Sequence, residues 1–165
     1  MEGGESIRWW FVDNLGGVVM KKILAAIDGS EVSENVLQKS KAIADKYQSE
    51  VLVLTIVKRM MPNYHYRMGA DFGHTHLVDK DEEEIGKRMM EHAKEIFKDY
   101  PGKFDTLLAH GEPADGILEI ADREQPDLLI MGSRGLGGFK RIMLGSVSTK
   151  VLHHANCDVM VVKQH

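Results

Sequence analysis

The chain has 165 residues, 43% of them hydrophobic and 28% charged, which is enough for one globular domain with a real core and gives no reason to expect a second. Its 25 acidic residues outweigh 21 Lys and Arg for a formal charge of −4, which argues against an unassisted nucleic-acid surface, because phosphate repulsion has to be offset by a concentrated basic patch. No apolar stretch approaches the ~20 residues that span a bilayer, so no membrane association is expected. Cys157 is the only cysteine, so an intramolecular disulfide is impossible and a reducing cytoplasm is the expected compartment.

Residues 1–19 differ in character from all that follows. They hold both tryptophans, Trp9 and Trp10, and place Glu2 and Glu5 where a secretion signal would be basic. Met20-Lys21-Lys22-Ile23-Leu24 reads as a natural protein start. Residues 1–19 are therefore expected to be an expression tag, a misassigned upstream start or an appended arm, outside a domain of residues 20–165. As an arm, Trp9, Trp10 and Phe11 would need an apolar surface to cover.

From Lys22 short apolar runs alternate with longer amphipathic ones, the mark of an α/β fold with a parallel sheet. Residues 23–27 form the first predicted strand, ending in the turn Asp28-Gly29-Ser30, whose serine is placed to cap the following helix. Val36, Ser40, Ile43, Ala44 and Tyr47 share a face of that helix. Residues 51–57 make a second buried strand.

Residues 58–79 have no period, and a loop of that length in a small domain is functional, partly disordered or a partner contact. Its His65, His74 and His76 fit no closed metal-site spacing and read as solvated loop histidines. A long helix is predicted over 80–100, buried through Ile85, Met89, Ala93, Ile96 and Tyr100, with Asp81 to Glu84 as an acidic opening favoured by the helix dipole. A strand over 104–109, a helix beginning at Pro113 with Ala114, Ile117, Leu118 and Ala121 as its core stripe, and a strand over 128–131 follow. Ser146 opens a short helix through Val147, Val151, Leu152 and Ala155, and residues 159–162 form a last β-branched strand. A sheet edge there has to be covered or paired, and a second copy would pair it.

The stretch with the most chemistry lies over 127–148: a strand, a glycine loop and a helix start. Glycines 132, 135, 137, 138 and 145 permit backbone angles and close ligand approaches that a Cβ would block. Ser146 and Ser148 fall where a helix presents unpaired amides, which attract anions, and Arg134, Lys140 and Arg141 bring positive charge to the same loop. A phosphate site is the reading these residues support. A glycine loop that merely turns is the alternative, and neither GxGxxG nor GxxxxGK[ST] occurs in it.

Gly132, two residues, Gly135, nine residues and then Gly145-Ser146 resembles the ATP-binding signature of the universal stress protein family. With the residues at 21–30, His110-Gly111-Glu112-Pro113 and the ending over 157–162, the resemblance covers residues 20–163 in order. It implies a single-domain doubly wound, Rossmann-like α/β fold with a five-stranded parallel sheet in the order 3-2-1-4-5 and helices on both faces. It further implies a homodimer through the last strand and a ligand at the carboxyl ends of strands one and four, where open α/β sheets bind ligands.

Carried over residue by residue, the resemblance implies ATP with Mg²⁺ as the cofactors. Gly132 and Gly135, with Ser133 and Arg134 between them, would meet the ribose and phosphates. Gly145 would complete the binding signature, and Ser146, Val147 and Ser148 would meet phosphate oxygens with hydroxyls and amides, with Ser146 helping to hold Mg²⁺. Asp28 would bond a ribose hydroxyl or the base edge, its alternative being only to shape a turn. Ala26, Ile27, Ile56 and Met131 would wall the adenine. Ala26 stands where some nucleotide-binding relatives have proline, and Asp158 replaces the proline usual before the final strand.

Three functions are then open. A nucleotide-dependent sensor or switch in stress response would be read by a protein partner not identified from the sequence, with the glycine loop and residues 58–79 as the parts that move. A slow Mg²⁺-dependent ATPase or phosphotransferase would need Arg134, Lys140 and Arg141 on the phosphates and a base, for which only His110 or the pair His153-His154 offers itself. A nucleotide-free dimeric scaffold is the third, and the intact glycine spacing argues against it.

Overall fold

Short apolar runs carry side chains that must be hidden on both sides, and a parallel sheet between two helix layers hides those of its three central strands. The computed structural model describes residues 20–58, 75–133 and 144–163. In chain order these form β1 (Lys22–Ala26), α1 (Glu31–Tyr47), β2 (Glu50–Val57), α2 (Thr75–Phe97), β3 (Phe104–His110), α3 (Pro113–Glu124), β4 (Leu128–Gly132), α4 (Ser146–His154) and β5 (Asp158–Val162). Every strand pair is parallel and the sheet order is β3-β2-β1-β4-β5, as the resemblance implied. The long glycine-bearing region and residues 1–19 fall partly or wholly outside the described residues: Arg134, Gly135, Gly137, Gly138, Lys140, Arg141, His65 and His74 are among those not described.

The pleat divides the core in two. Ile23, Ala25, Ile27, Val51, Val53, Leu128 and Ile130 face α1 and α2, whose Val36, Leu37, Met90, Ala93 and Phe97 cover them. Leu24, Ala26, Leu52, Leu54, Leu129 and Met131 face α3 and α4, covered by Ile117, Ile120, Ala121 and Val151. The chain winds outward from β1 to β3 over one face and returns by α3 over the other. Strand order therefore reverses between β1 and β4, which is where such sheets open a ligand crevice.

The opposite end of those two strands is pinned by Asp127, whose Oδ2 accepts the amides of Lys21 at 2.7 Å and Lys22 at 2.8 Å. Lys22 Nζ also donates to Glu124 at 2.7 Å. That bond, with a second from Arg123, holds the Glu124 carboxyl below its usual range. A depressed carboxylate contributes stability that is present above its unfolded pKa and lost as pH falls through the folded one. Glu124→Gln is thus expected to lower stability modestly near neutral pH and to flatten its fall on acidification, checked by urea midpoints measured from neutral into the acid range.

Helix α2 departs from expectation in two respects. It begins at Thr75 rather than residue 80, so the acidic residues up to Glu84 are not its first turn and the dipole does not account for them. Glu83 and Glu84 instead pair one turn on with Lys87 at 2.6 Å and Arg88 at 2.5 Å. Ile85, expected in the core, is 52% exposed, and the buried stripe runs through Gly86, Met90, Ala93 and Phe97. Gly86 is the reason. A Cβ there would lie 2.6 Å from Leu108 Cδ1 and 3.1 Å from Val57 Cγ2, so the missing side chain is what lets the helix settle on β2 and β3. Among the described residues no helix is long and apolar enough to cross a membrane.

Candidate functional site

At the carboxyl ends of β1 and β4 the sheet register sets Ala26 beside Met131. The chain leaves β1 toward α1 on one face and β4 toward α4 on the other, so the Asp28 turn and the Ser133 turn start side by side and diverge.

The first wall is the Asp28 turn. Asp28 is exposed, and its Oδ1 accepts the Ser30 amide at 3.0 Å and the Ser33 hydroxyl at 3.1 Å. Ser33 Oγ in turn accepts the amides of Asp28 at 3.2 Å and Gly29 at 3.0 Å. Ser30 holds the cap position of α1, but its side chain does not cap. The amide it would take, that of Ser33, already bonds the Ser30 carbonyl at 2.9 Å, and Ser30 Oγ is left buried without a partner among the described residues. Asp28 and Ser33 instead hold the turn that precedes the helix, through the amides of Asp28, Gly29 and Ser30.

Gly29 adopts φ +78°, and a Cβ there would lie 2.7 Å from Met89 Sδ on α2. Gly29→Ala is expected to cost about 1–3 kcal/mol from the left-handed backbone and the displaced thioether. A urea titration measures it, and an unchanged midpoint would mean that the turn has room to rearrange.

The second wall is the head of α4. Gly145 is its cap residue, and the first helical bond is from Thr149 N to Gly145 O at 2.9 Å. The amides of Ser146, Val147 and Ser148 therefore have no acceptor among the described residues, the condition that makes a helix start an anion site. Ser133 ties this helix to β4: its amide donates to Val162 O at 2.8 Å, and its carbonyl accepts from Gly145 N at 2.9 Å and from Ser148 Oγ at 3.2 Å. The two ends of the glycine loop are pinned together at one oxygen.

The expected site residues fall into distinct places. Gly132 ends β4, Asp28 and Ser133 follow the carboxyl ends of β1 and β4, and Gly145, Ser146, Val147 and Ser148 form the head of α4. Ser148 is 2% exposed and its one hydroxyl proton is shared between Ser133 O and Gly145 O, the latter at 3.0 Å, so its side chain serves the loop and its amide is what it can offer a ligand. Ala26, Ile56 and Met131 lie on the α3–α4 face, with Ile56 seated against Gly116 of α3. Ile27 belongs to the opposite core, 6% exposed under α1 and α2, so its side chain is separated by the sheet from the other three. Arg134 and Gly135 lie outside the described residues.

Two contributors were not anticipated. Thr55 of β2, 2% exposed, donates from Oγ1 to Ile27 O at 3.2 Å and so steadies the exit of β1. Ser33 organises the Asp28 turn, and a serine three places into a helix after Asp-Gly-Ser is the signal that would have found it. Among the described residues no group of three or more His, Cys, Asp or Glu is placed to hold a metal.

The pattern of the universal stress protein family matches residues 20–163. The chain is 33% identical to the universal stress protein YxiE of Bacillus subtilis over 148 residues, covering 88% of this chain and 100% of that protein. The solved structure of MJ0577, a universal stress protein of Methanocaldococcus jannaschii, aligns with a TM-score of 0.70 at 31% identity over 90% of this chain and 99% of its own. That of UspA from Lactobacillus plantarum gives a TM-score of 0.76 at 22% identity, covering 88% and 99%. Further solved members share the fold at 20–21% identity, and these were determined with cAMP, with AMP (a protein of Arabidopsis thaliana) and with dAMP (a protein of Archaeoglobus fulgidus). With its sheet order, its strand-to-helix loop and the match over nearly its whole length, the chain belongs to the universal stress protein family.

Proposed function

We propose that this protein binds ATP with Mg²⁺ between the Asp28 turn and the head of α4, and that nucleotide occupancy is the signal it passes on. The observation that carries this reading is that the amides of Ser146, Val147 and Ser148, without an acceptor among the described residues, lie across the strand-order reversal from a carboxylate. The amides suit an anion and the carboxylate suits a hydroxyl or amine donor. A nucleotide carries both groups in one molecule. That relatives of this fold bind cAMP, AMP and dAMP supports adenine as the base and a phosphate ester as the anion.

The wider phosphate chain of ATP is supported by the cationic residues Arg134, Lys140 and Arg141 in the connecting segment. When bound, Mg²⁺ would neutralise charge on the phosphates, and the exposed Ser146 hydroxyl is the side chain available to it.

Occupancy is favoured over turnover by where the candidate bases lie. His153 and His154 end α4, roughly 10 Å along the axis from Ser146 at 1.5 Å per residue. His110 ends β3, on the far side of β2 from the crevice.

A second copy of this chain is the partner we propose for β5. Its outer edge is unpaired among the described residues, and Val159, Met160 and Val161 are only half-buried. Lys150 bonds Asp115 of α3 at 2.6 Å and Val151 points into the core, so Leu152, 40% exposed, faces away from α3 toward that edge. A further protein reading the nucleotide-bound dimer would complete the switch, in a reducing cytoplasm that leaves Cys157 a thiol.

The test is to purify the protein without added nucleotide, release and identify any ligand by mass spectrometry, titrate the emptied protein with ATP and Mg²⁺ by calorimetry, and assay ADP over hours. Light scattering on the same sample gives the mass. Bound nucleotide, negligible turnover and a dimer are expected. Steady Mg²⁺-dependent turnover lost in Ser146→Ala would put the ATPase reading first, and a folded protein that binds no nucleotide would remove both.

A further inference from the structure

We infer that Ser33 is a positioning residue, which turns the Asp28 carboxylate so that Oδ1 is held inside the turn and Oδ2 alone is offered to the ligand; the identity of that ligand rests on the nucleotide reading above. A serine hydroxyl has one proton and two lone pairs. Both lone pairs of Ser33 are occupied, by the amides of Asp28 at 3.2 Å and Gly29 at 3.0 Å. The proton then has one direction left, and Asp28 Oδ1 receives it at 3.1 Å. Ser33 is 8% exposed, so water does not compete freely for that hydroxyl.

The Ser30 amide adds a second donor to the same oxygen at 3.0 Å. Both groups bonded to Oδ1 among the described residues are donors. Oδ2 has no partner among the described residues. An ionised carboxylate only accepts, so the ligand group seated on Oδ2 must donate, as a ribose hydroxyl or a base amine does. Because the carboxylate is fixed before the ligand arrives, that bond forms without the cost of ordering the side chain.

The arrangement makes a conservative change at position 28 non-conservative. In Asp28→Asn the amide oxygen is drawn to the Oδ1 place, since Ser33 and Ser30 present only protons there, and the NH₂ group is left facing the ligand's donor. The turn survives and the acceptor is lost. In Ser33→Ala the turn loses its organising hydroxyl and the carboxylate is free to rotate.

Three measurements on the full chain decide the matter: ATP affinity by calorimetry, affinity for inorganic tripolyphosphate as a probe of the α4 end alone, and the Asp28 χ1 distribution from three-bond NMR couplings without ligand. The wild type should show a single χ1 rotamer. Asp28→Asn should keep one rotamer and lose about 10- to 100-fold in ATP affinity, the range of one charge-assisted hydrogen bond. Ser33→Ala should show averaged couplings and a smaller loss toward ATP, and in both variants tripolyphosphate affinity should stay at the wild-type value.

A single unchanged rotamer in Ser33→Ala would overturn the inference, as would full ATP affinity in Asp28→Asn. Should Ser33→Ala fail to fold, the Asp28→Asn affinities decide alone. A wild type that binds no ATP would defeat the nucleotide reading, and the ligand-free couplings would still decide what Ser33 does.

Discussion

Gly145→Val is expected to fold as the wild type does and to lose ATP binding by ~100-fold or more, the scale of losing several phosphate contacts of about 1 kcal/mol or more each. The backbone does not demand glycine here: Gly145 has φ −66° and ψ 162°, an extended conformation open to any residue. Its amide bond to Ser133 O at 2.9 Å survives the substitution, and the helix bond from Thr149 to its carbonyl survives too. Valine is a poorer cap residue than glycine, which costs helix α4 on the order of 1 kcal/mol. What valine adds is a branched side chain at the mouth of the helix, where a phosphate has to come within hydrogen-bonding distance of the Ser146, Val147 and Ser148 amides. Calorimetry with ATP and Mg²⁺, alongside circular dichroism and a melting curve, separates the two effects. A folded valine variant with wild-type affinity would mean that the head of α4 is not where phosphate sits.

Leu129→Ala is expected to be the most destabilising single change, at about 2–5 kcal/mol against a typical total of ~5–15. Leu129 is fully buried in β4, in the core shared with Leu24, Ile117 and Val151. Its strand is flanked on both sides, by β1 and β5, so the cavity left behind cannot be closed by a sheet edge moving in. The urea midpoint should fall with an unchanged slope, since a cavity alters stability without altering the surface exposed on unfolding. Leu144→Ala is the matched control: Leu144 is 44% exposed, and surface changes of this kind stay within ~0.5 kcal/mol. Saturating ATP should recover part of the loss, about 2.7 kcal/mol at a hundredfold excess over Kd, if nucleotide binds the folded state alone. A Leu129→Ala cost no larger than that of Leu144→Ala would contradict the close packing of α3 and α4 on β4.

Much of this molecule can be read along the chain. The alternation of buried runs with amphipathic stretches marks nine elements, all of which form, with ends shifted by a residue or two except at α2. The strand order came from the resemblance and not from periodicity. The exceptions have a common cause. The α2 stripe was drawn through Ile85 because a hydrophobic pattern registers side chains, whereas the closest contact with the sheet is made by Gly86, which has none. Ser30 looked like a cap because cap preference is a property of residue type, while the outcome depended on the Ser33 amide already being taken.

The sequence by itself determined which chemical groups this protein owns and their order: a carboxylate after the first strand, glycines and hydroxyls after the fourth, and a core rich enough to bring them together. Only the tertiary structure decided which atoms of those groups remain available. Ile27 and Met131 were both expected against one adenine, but pairing of Ala26 with Met131 puts Ile27 on the other pleat and hence on the other face. Ser148 was expected to offer its hydroxyl, and that hydroxyl is spent on Ser133 and Gly145. Residue type and spacing are local and can be read from neighbours in the chain. The phase of a pleat and the pairing of a donor are settled between segments about a hundred residues apart, as where Asp127 meets the amides of Lys21 and Lys22, and so they exist only once the chain has folded.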